Sequence, residues 1–233
     1  MDSLENIMAI KKNLGVPEYT NHSIDFALTT YCQAKCRSCA RTNEQTGEKE
    51  SWLQLKHMDL DVFRRTLESS PNIHIADIEF CGEFGDPMMH PQIDKFIETA
   101  LEFAPSVRIS TNGGLRTPDW YESIAKKYKN RLEINFAIDG ATHDVNWMYR
   151  EGVDWHRAID NMTSYMSAGG RGSWWFIIFE WNWQQIPIAK KMADKIDCGV
   201  FFKFNAREFG KISDENKKQA YKLIEELDGE IVP

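Results

Sequence analysis

Long apolar runs are missing from this chain of 233 residues. No stretch approaches the roughly 20 apolar residues of a membrane-spanning helix, so the sequence predicts no membrane insertion. The N-terminus, MDSLENIMAIKKNLG, also lacks the basic-then-apolar order of a signal peptide. We therefore expect a cytoplasmic protein.

Positive charge is in deficit as well. The chain has 28 Lys and Arg against 35 Asp and Glu, a formal net charge of -7. An acidic balance disfavours broad nucleic-acid binding, because that binding depends on neutralising phosphates with basic side chains. We expect no such binding.

Cysteine is rare and unevenly placed. Only five occur, an odd number without the spacing of a disulfide framework. Three of them, Cys32, Cys36 and Cys39, fall within the stretch TTYCQAKCRSCAR. In a reducing compartment, such a cluster indicates metal or redox chemistry rather than covalent cross-linking.

Strand-length apolar runs alternate with helix-length amphipathic stretches along the chain. Six strand–helix units follow one another without a repeat or a low-complexity linker, and they predict one domain over residues 23–233 after an N-terminal segment, residues 1–22. The predicted strands are SIDFALTTYC, IADIEFCG, SVRISTNG, LEINFAIDG, WWFIIFEWN and GVFFKFN. Their near-continuous apolar character predicts a parallel sheet covered on its faces.

Local signals place several helix ends. Thr117 can cap the third helix, Pro91 suits the first turn of the second, Ser213 stands near the start of the last, and Gly169–Gly170 is a stop signal.

Two architectures fit this alternation, an open doubly wound sheet and a barrel-like arc. Periodicity alone does not choose between them. Polar residues, however, follow the carboxyl end of every predicted strand: Cys32; Glu83 and Asp86; Ser110 and Asn112; Asp139; Glu180 and Asn182; Asn205 and Arg207. Because that edge holds the ligands of parallel α/β folds, a site built from every strand favours a partial (β/α)6 TIM-like barrel.

The spacing C-x3-C-x2-C brings three thiols together on one loop. Structural zinc uses four ligands and usually two separated pairs, so His57 or Cys81 would have to complete a zinc set here. Cysteine thiolates are the standard ligands of iron–sulfur clusters. Three of them leave one iron of a 4Fe–4S cluster without a protein ligand, open to a substrate or cofactor.

CQAKCRSC, placed just after the first strand, resembles the motif of the radical S-adenosylmethionine (radical SAM) superfamily. The resemblance implies a 4Fe–4S cluster on Cys32, Cys36 and Cys39 whose open iron binds S-adenosylmethionine. It also implies reductive cleavage to a 5′-deoxyadenosyl radical, which abstracts hydrogen from a substrate. An electron donor such as flavodoxin or ferredoxin would be a partner.

Further segments resemble elements of the same superfamily. FCGEFGDPMMHP is similar to its Gly-Gly-Glu-Pro element, with Cys81 in the place of the first glycine, and implies that Gly82, Glu83 and Asp86 meet the amino group of the methionine moiety. The alternative is a simple Gly/Asp/Pro turn.

ISTNGG and FAIDG resemble strand ends of the branch that contains the SPASM and Twitch enzymes. Ser110, Asn112 and Asp139 are the implied cofactor contacts, although Ala137 replaces the serine of the second motif. An Asn-Gly turn is the alternative for the first motif.

HDVNWMYREGVDW resembles a stretch of the same branch in which an arginine pairs with the cofactor carboxylate, here Arg150. A salt bridge to Glu151 or Asp154 is the alternative. FEWNW ends the fifth strand, where Glu180 or Asn182 could reach the ribose hydroxyls; a capping asparagine among core tryptophans is equally compatible.

The prediction is therefore a radical SAM enzyme whose substrate is a peptide, a nucleotide or another small molecule, with activation of a glycyl-radical partner also compatible. Because only Cys198 follows Cys81 before Pro233, we expect no auxiliary cluster of the SPASM or Twitch kind. The alternative class is a non-catalytic iron–sulfur or zinc module for electron transfer or regulation.

Overall fold

The computed structural model describes residues 22–69 and 74–232. The predicted N-terminal segment, residues 1–22, lies outside this part of the chain except for His22. No helix of the described residues is long and apolar enough to cross a membrane.

One parallel sheet forms the centre of the described structure. Its seven strands are β1 (His22–Phe26), β2 (Ile75–Phe80), β3 (Val107–Thr111), β4 (Leu132–Ala137), β5 (Arg171–Ile178), β6 (Gly199–Phe204) and β7 (Glu230–Ile231). They are hydrogen-bonded in chain order from β1 to β7, and every neighbouring pair is parallel.

The connections between the strands carry the helices. In the described residues these are α1 (Leu60–Glu68), α2 (Ile93–Phe103), α3 (Pro118–Tyr128), α4 (His143–Trp147), α5 (Trp155–Ser167), α6 (Ile186–Asp194) and α7 (Asp214–Glu226).

The strand order decides between the two predicted architectures. A doubly wound sheet reverses direction at a switch point, whereas these strands follow one another without reversal. The sheet is an open arc of the TIM-like kind, and the predicted partial barrel is confirmed. Sequence reasoning missed β7, because its two residues are too few to show a hydrophobic period.

The helices cover one face of this sheet, not both. In β4, Leu132, Ile134 and Phe136 are fully buried, while Glu133 and Asn135 point to the opposite, concave face. The buried set joins apolar helix residues in a single core. The prediction of a sheet covered on its faces was therefore wrong for the concave side, which no helix covers and which polar and aromatic side chains line.

Several local predictions of helix ends are confirmed. The hydroxyl of Thr117 accepts a hydrogen bond from the amide of Trp120, and Ser213 caps α7. Gly169, with a φ of +81°, follows the end of α5. Pro91, however, lies outside α2, which begins at Ile93 after a short 3-10 turn, Pro87–Met89.

The segment after β1 departs from the predicted strand. Beyond Phe26 the chain pairs instead with the residues before α1: the amide of Met58 donates to the carbonyl of Leu28 at 2.8 Å, and that of Thr30 to Lys56 at 3.0 Å. This pairing fixes the start of the cysteine-bearing loop at the carboxyl edge of the sheet.

His90 ties the loop after β2 to this same segment. Its Nδ1 accepts a hydrogen bond from the amide of Gln92, so Nε2 carries the proton and donates to the carbonyl of Met58 at 3.0 Å. Burial lowers the pKa of His90, and neighbouring His57 and Arg116 lower it further.

Because the pKa of His90 is lowered, we predict that the protein loses stability in weak acid. As the pH falls below about 6.5, the unfolded chain binds a proton that the folded His90 resists, so the free energy of unfolding decreases. We expect His90→Gln to flatten that decrease in urea titrations between pH 7.5 and 5.5. His156→Gln, at an exposed histidine, is the control; equal slopes in the two variants would contradict the prediction.

Candidate functional site

A cavity of about 140 Å³ opens at the carboxyl ends of the first four strands. We call it the cysteine cavity. Its lining consists of Cys32, Ala34, Cys36, Cys39, Arg41, Gly82, Gly85, Asp86, Ser110, Thr111, Asn112, Ala137 and Arg150. Eight of the twelve sequence-predicted site residues are among them.

Arg41 fixes the backbone of the cysteine-bearing loop. Its guanidinium donates hydrogen bonds to the carbonyls of Cys32 at 3.0 Å, Ala34 at 3.1 Å and Thr30 at 3.4 Å. Arg41 is 8% exposed and forms no ion pair in the described part of the chain, and its Nε lacks a hydrogen-bond partner there. A buried cation with carbonyl partners alone makes this wall of the cavity electropositive.

The buried thiols are held in their neutral form in the protein without metal. Burial, together with the nearby Asp86 charge, raises the pKa of Cys32 to about 12. Burial also raises the pKa of Cys36, although Arg150 opposes this effect. Any metal that binds here must therefore displace protons, so its binding is coupled to proton release.

The three thiols share one cavity without converging on one point. In the described residues, no three His, Cys, Asp or Glu side chains lie close enough together to hold a single metal ion. A cluster places each cysteine on a different iron, so this spread is compatible with the iron–sulfur donor set.

Two glycines after β2 line the cavity at positions where no other residue would fit. A Cβ on Gly82 would lie 1.8 Å from the carbonyl oxygen of Gly85, and a Cβ on Gly85 would lie 2.2 Å from that of Thr29. Backbone groups therefore form this side of the cavity, where they can approach a ligand closely.

Asp86 joins the ends of β2 and β3. Its carboxylate accepts hydrogen bonds from the hydroxyl of Thr111 at 2.9 Å and from the amides of Asn112 and Met88, each at 2.9 Å. Burial raises its pKa, while these hydrogen bonds act in the opposite direction. Asp86 thus holds the position of Asn112 as well as lining the cavity.

Asn112 connects the third strand to the cysteine loop. Its amide oxygen accepts from Gln33 Nε2 at 2.7 Å and from the amide of Gly114 at 3.0 Å. Its Nδ2 donates towards Cys32 Sγ at 3.8 Å. An N–H donor therefore lies beside a potential metal ligand.

A buried ion pair links the loop after β4 to the cavity. Arg150 Nε donates to Asp139 Oδ2 at 2.6 Å, and Asp139 Oδ1 accepts from the amide of Ile177 at 2.7 Å. Burial opposes the charge on Arg150, yet the Asp139 carboxylate outweighs it and raises the pKa of the arginine. Asp139 itself does not line the cavity; it orients Arg150, which does.

Three other predicted residues lie outside the cavity lining. Glu83 is exposed. Glu180 accepts hydrogen bonds from the amide of Ser213 at 2.7 Å and from the side chain of Asn216 at the start of α7. Asn182 is fully buried and donates to the carbonyls of Asp139 at 2.9 Å and Ile177 at 2.8 Å.

The cavity also includes residues that sequence reasoning did not single out. Thr111 bonds to Asp86, 25 residues away in the chain, and Arg41 bonds to backbone carbonyls of its own loop; neither kind of contact has a local sequence motif. Gly85 did carry a signal, because it lies in the Gly-rich segment FCGEFGDP, although spacing alone could not show which carbonyl approaches it.

The model of the family described as Radical SAM superfamily matches residues 26–186. The tungsten-containing aldehyde ferredoxin oxidoreductase cofactor-modifying protein of Pyrococcus furiosus is 23% identical over 99 residues, which cover 42% of this chain and 26% of that protein.

Solved structures with a similar fold include two that hold ligands. Streptococcus suis SuiB bound to the precursor peptide SuiA has a TM-score of 0.69 and 15% identity, over 97% of this chain and 51% of SuiB. Native anSMEcpe with bound AdoMet has a TM-score of 0.67 and 12% identity, over 90% of this chain and 63% of that one. The chain thus spans between half and two-thirds of these proteins, and at such identities the likeness shows the fold.

The contacts of Arg41 predict that it stabilises the protein without any cofactor. Arg41→Met removes the donor of three carbonyls of the cysteine-bearing loop, so we expect a loss of about 2 kcal/mol in the free energy of unfolding. Denaturant titration of the metal-free protein measures it. The control is Arg37→Met, at an exposed arginine of the same loop, with an expected change within about 0.5 kcal/mol. Equal effects would contradict the assigned role of Arg41.

Proposed function

The chain belongs to the radical SAM superfamily, whose model matches more than half of it, and we propose that it is an enzyme that abstracts hydrogen from an organic substrate. Membership of this superfamily implies a 4Fe–4S cluster and S-adenosylmethionine. The observation that carries the proposal is the cysteine cavity, where three thiols of one loop meet polar groups from the next three strands.

In this proposal Cys32, Cys36 and Cys39 hold three irons of the cluster. The fit rests on the donor set, because all three thiols line one cavity and two arginines, Arg41 and Arg150, line it with them. Thiolate ligands and sulfides make such a cluster anionic, and the guanidinium groups offset that charge.

When bound, the cluster and S-adenosylmethionine supply a 5′-deoxyadenosyl radical. The residues of the chain supply the positioning. Backbone groups of Gly82 and Gly85, together with Asp86, can accept hydrogen bonds from an ammonium group. Arg150, oriented by Asp139, offers donors to a carboxylate, for which the planar guanidinium is well suited.

Ser110 and Asn112 complete the proposed contacts. Both line the cysteine cavity at the end of β3, and Asn112 also contacts Cys32. We assign no cofactor contact to Glu83, Glu180 or Asn182; in this proposal Glu180 and Asn182 stabilise the loops after β5.

The substrate class is proposed from the fold relatives. SuiB is described with a precursor peptide, and anSMEcpe with the peptides Cp18Cys and Kp18Cys. A peptide is therefore the first candidate substrate. A small molecule is the second, because methylornithine synthase is another fold relative.

The proposed chemistry also implies a reductant and a compartment. Reduction of the cluster needs a one-electron donor of low potential, such as flavodoxin or ferredoxin. We propose that residues 23–233 act as one domain in the cytoplasm, where thiols stay reduced.

Anaerobic reconstitution tests the proposal. We expect about four irons per chain and formation of 5′-deoxyadenosine after reduction in the presence of S-adenosylmethionine. Cys36→Ala should abolish both, because it removes one cluster ligand. The matched control is Cys198→Ala, a buried cysteine outside the cysteine cavity.

Stoichiometric zinc in place of iron would overturn the proposal and favour a zinc module. A stable cluster that never cleaves S-adenosylmethionine would favour the electron-transfer or regulatory alternative.

A further inference from the structure

A second cavity, of about 380 Å³, lies on the concave face of the sheet. We call it the charged cavity, because Glu79, Arg108 and Glu133 line it. It shares Ser110 and Ala137 with the cysteine cavity, so the two are adjacent along the strands.

Arg108 is outnumbered by carboxylates. Its Nη1 lies 3.2 Å from Glu79 and 4.0 Å from Asp77, and its Nε lies 3.8 Å from Glu133. Arg171 pairs with Glu133 from the rim. Of the charged residues that line the cavity, two are carboxylates and one is a guanidinium, which leaves one negative charge in excess; Asp77 lies beside the lining, and Arg171 is exposed.

Strand register builds this arrangement. Glu79, Arg108, Glu133 and Arg171 are lateral neighbours on β2 to β5, so their side chains emerge side by side on the concave face. The N–H donors of Arg108 point to the carboxylates of Glu79 and Glu133, so they are not free for a ligand. An incoming anion would therefore meet carboxylates, whereas a cation would be attracted by them.

An aromatic wall closes the other side of the charged cavity. The rings of Trp175 and Phe201 lie 5.6 Å apart at an interplanar angle of 44°. Trp175 Nε1 donates to Ser173 Oγ at 2.9 Å, which fixes the indole ring. Aromatic faces attract cations and also cover apolar groups.

We propose that the charged cavity binds the substrate and that this substrate carries an ammonium or guanidinium group on an apolar body. The inference rests on the proposed function, since it names the substrate class for the same reaction. The carboxylates bind the cation, the aromatic wall covers the apolar body, and the shared wall at Ser110 and Ala137 places the ligand beside the cysteine cavity.

Binding of matched probes to the full chain without cofactors tests this directly. Phenethylamine and 3-phenylpropionate have similar shapes and opposite charges, and ligand-observed NMR gives both affinities. We expect the amine to bind at least about tenfold more tightly, because one charge–charge interaction changes sign.

Two variants localise the binding. Glu79→Gln and Glu133→Gln each remove one carboxylate from the charged cavity, and each should weaken phenethylamine binding several-fold. The control is Glu122→Gln, at an exposed residue of α3 outside the cavity. Circular dichroism melting shows which variants fold, and either folded variant suffices.

Equal or tighter binding of 3-phenylpropionate would overturn the proposal, as would unchanged amine affinity in a folded variant or no binding of either probe. Displacement of phenethylamine by S-adenosylhomocysteine without saturation would also overturn it, since the two ligands would then compete for one cavity, whereas linkage between two cavities saturates. Failure of S-adenosylmethionine cleavage, in contrast, bears on the proposed function alone, because the probe assay needs no cluster.

Discussion

Parallel strands that lie in chain order bring every loop that follows a strand to one edge of the sheet. This constraint gathers the cysteine loop after β1, the glycine-rich turn after β2, Asn112 after β3 and the Asp139–Arg150 pair after β4 into one cavity. Because the helices cover only the convex face, the concave face keeps its polar and aromatic side chains available to line a second cavity. The separation of the two faces follows from the period-two alternation of each strand.

The two arginines that line the cysteine cavity differ in their partners. Arg150 has a buried carboxylate partner, whereas Arg41 has only backbone carbonyls in the described structure. Buried cations without an anion are costly, and buried neutral thiols do not offset that cost. An anionic cluster held by the three cysteines would offset the charge of Arg41.

Sequence reasoning could predict the features that depend on local chemistry. The cap at Thr117, the stop at Gly169 and the spacing of the three cysteines each involve residues that are close in the chain. The barrel-like arc could also be inferred, because polar residues follow every strand. Features that depend on tertiary contacts were not accessible in this way. Glu180, for example, contacts Ser213 at the start of α7, and no local pattern distinguishes that partner from a ribose hydroxyl.

The common wall of the two cavities has a thermodynamic consequence. Ser110 and Ala137 belong to both linings, and Ser110 Oγ donates to Glu79 at 2.9 Å, so a ligand that moves this serine in one cavity alters the other. Affinities at the two cavities are then linked, and linkage is reciprocal: whatever factor the first ligand imposes on the second, the second imposes on the first. The order in which two such ligands bind therefore leaves the total free energy of the ternary complex unchanged.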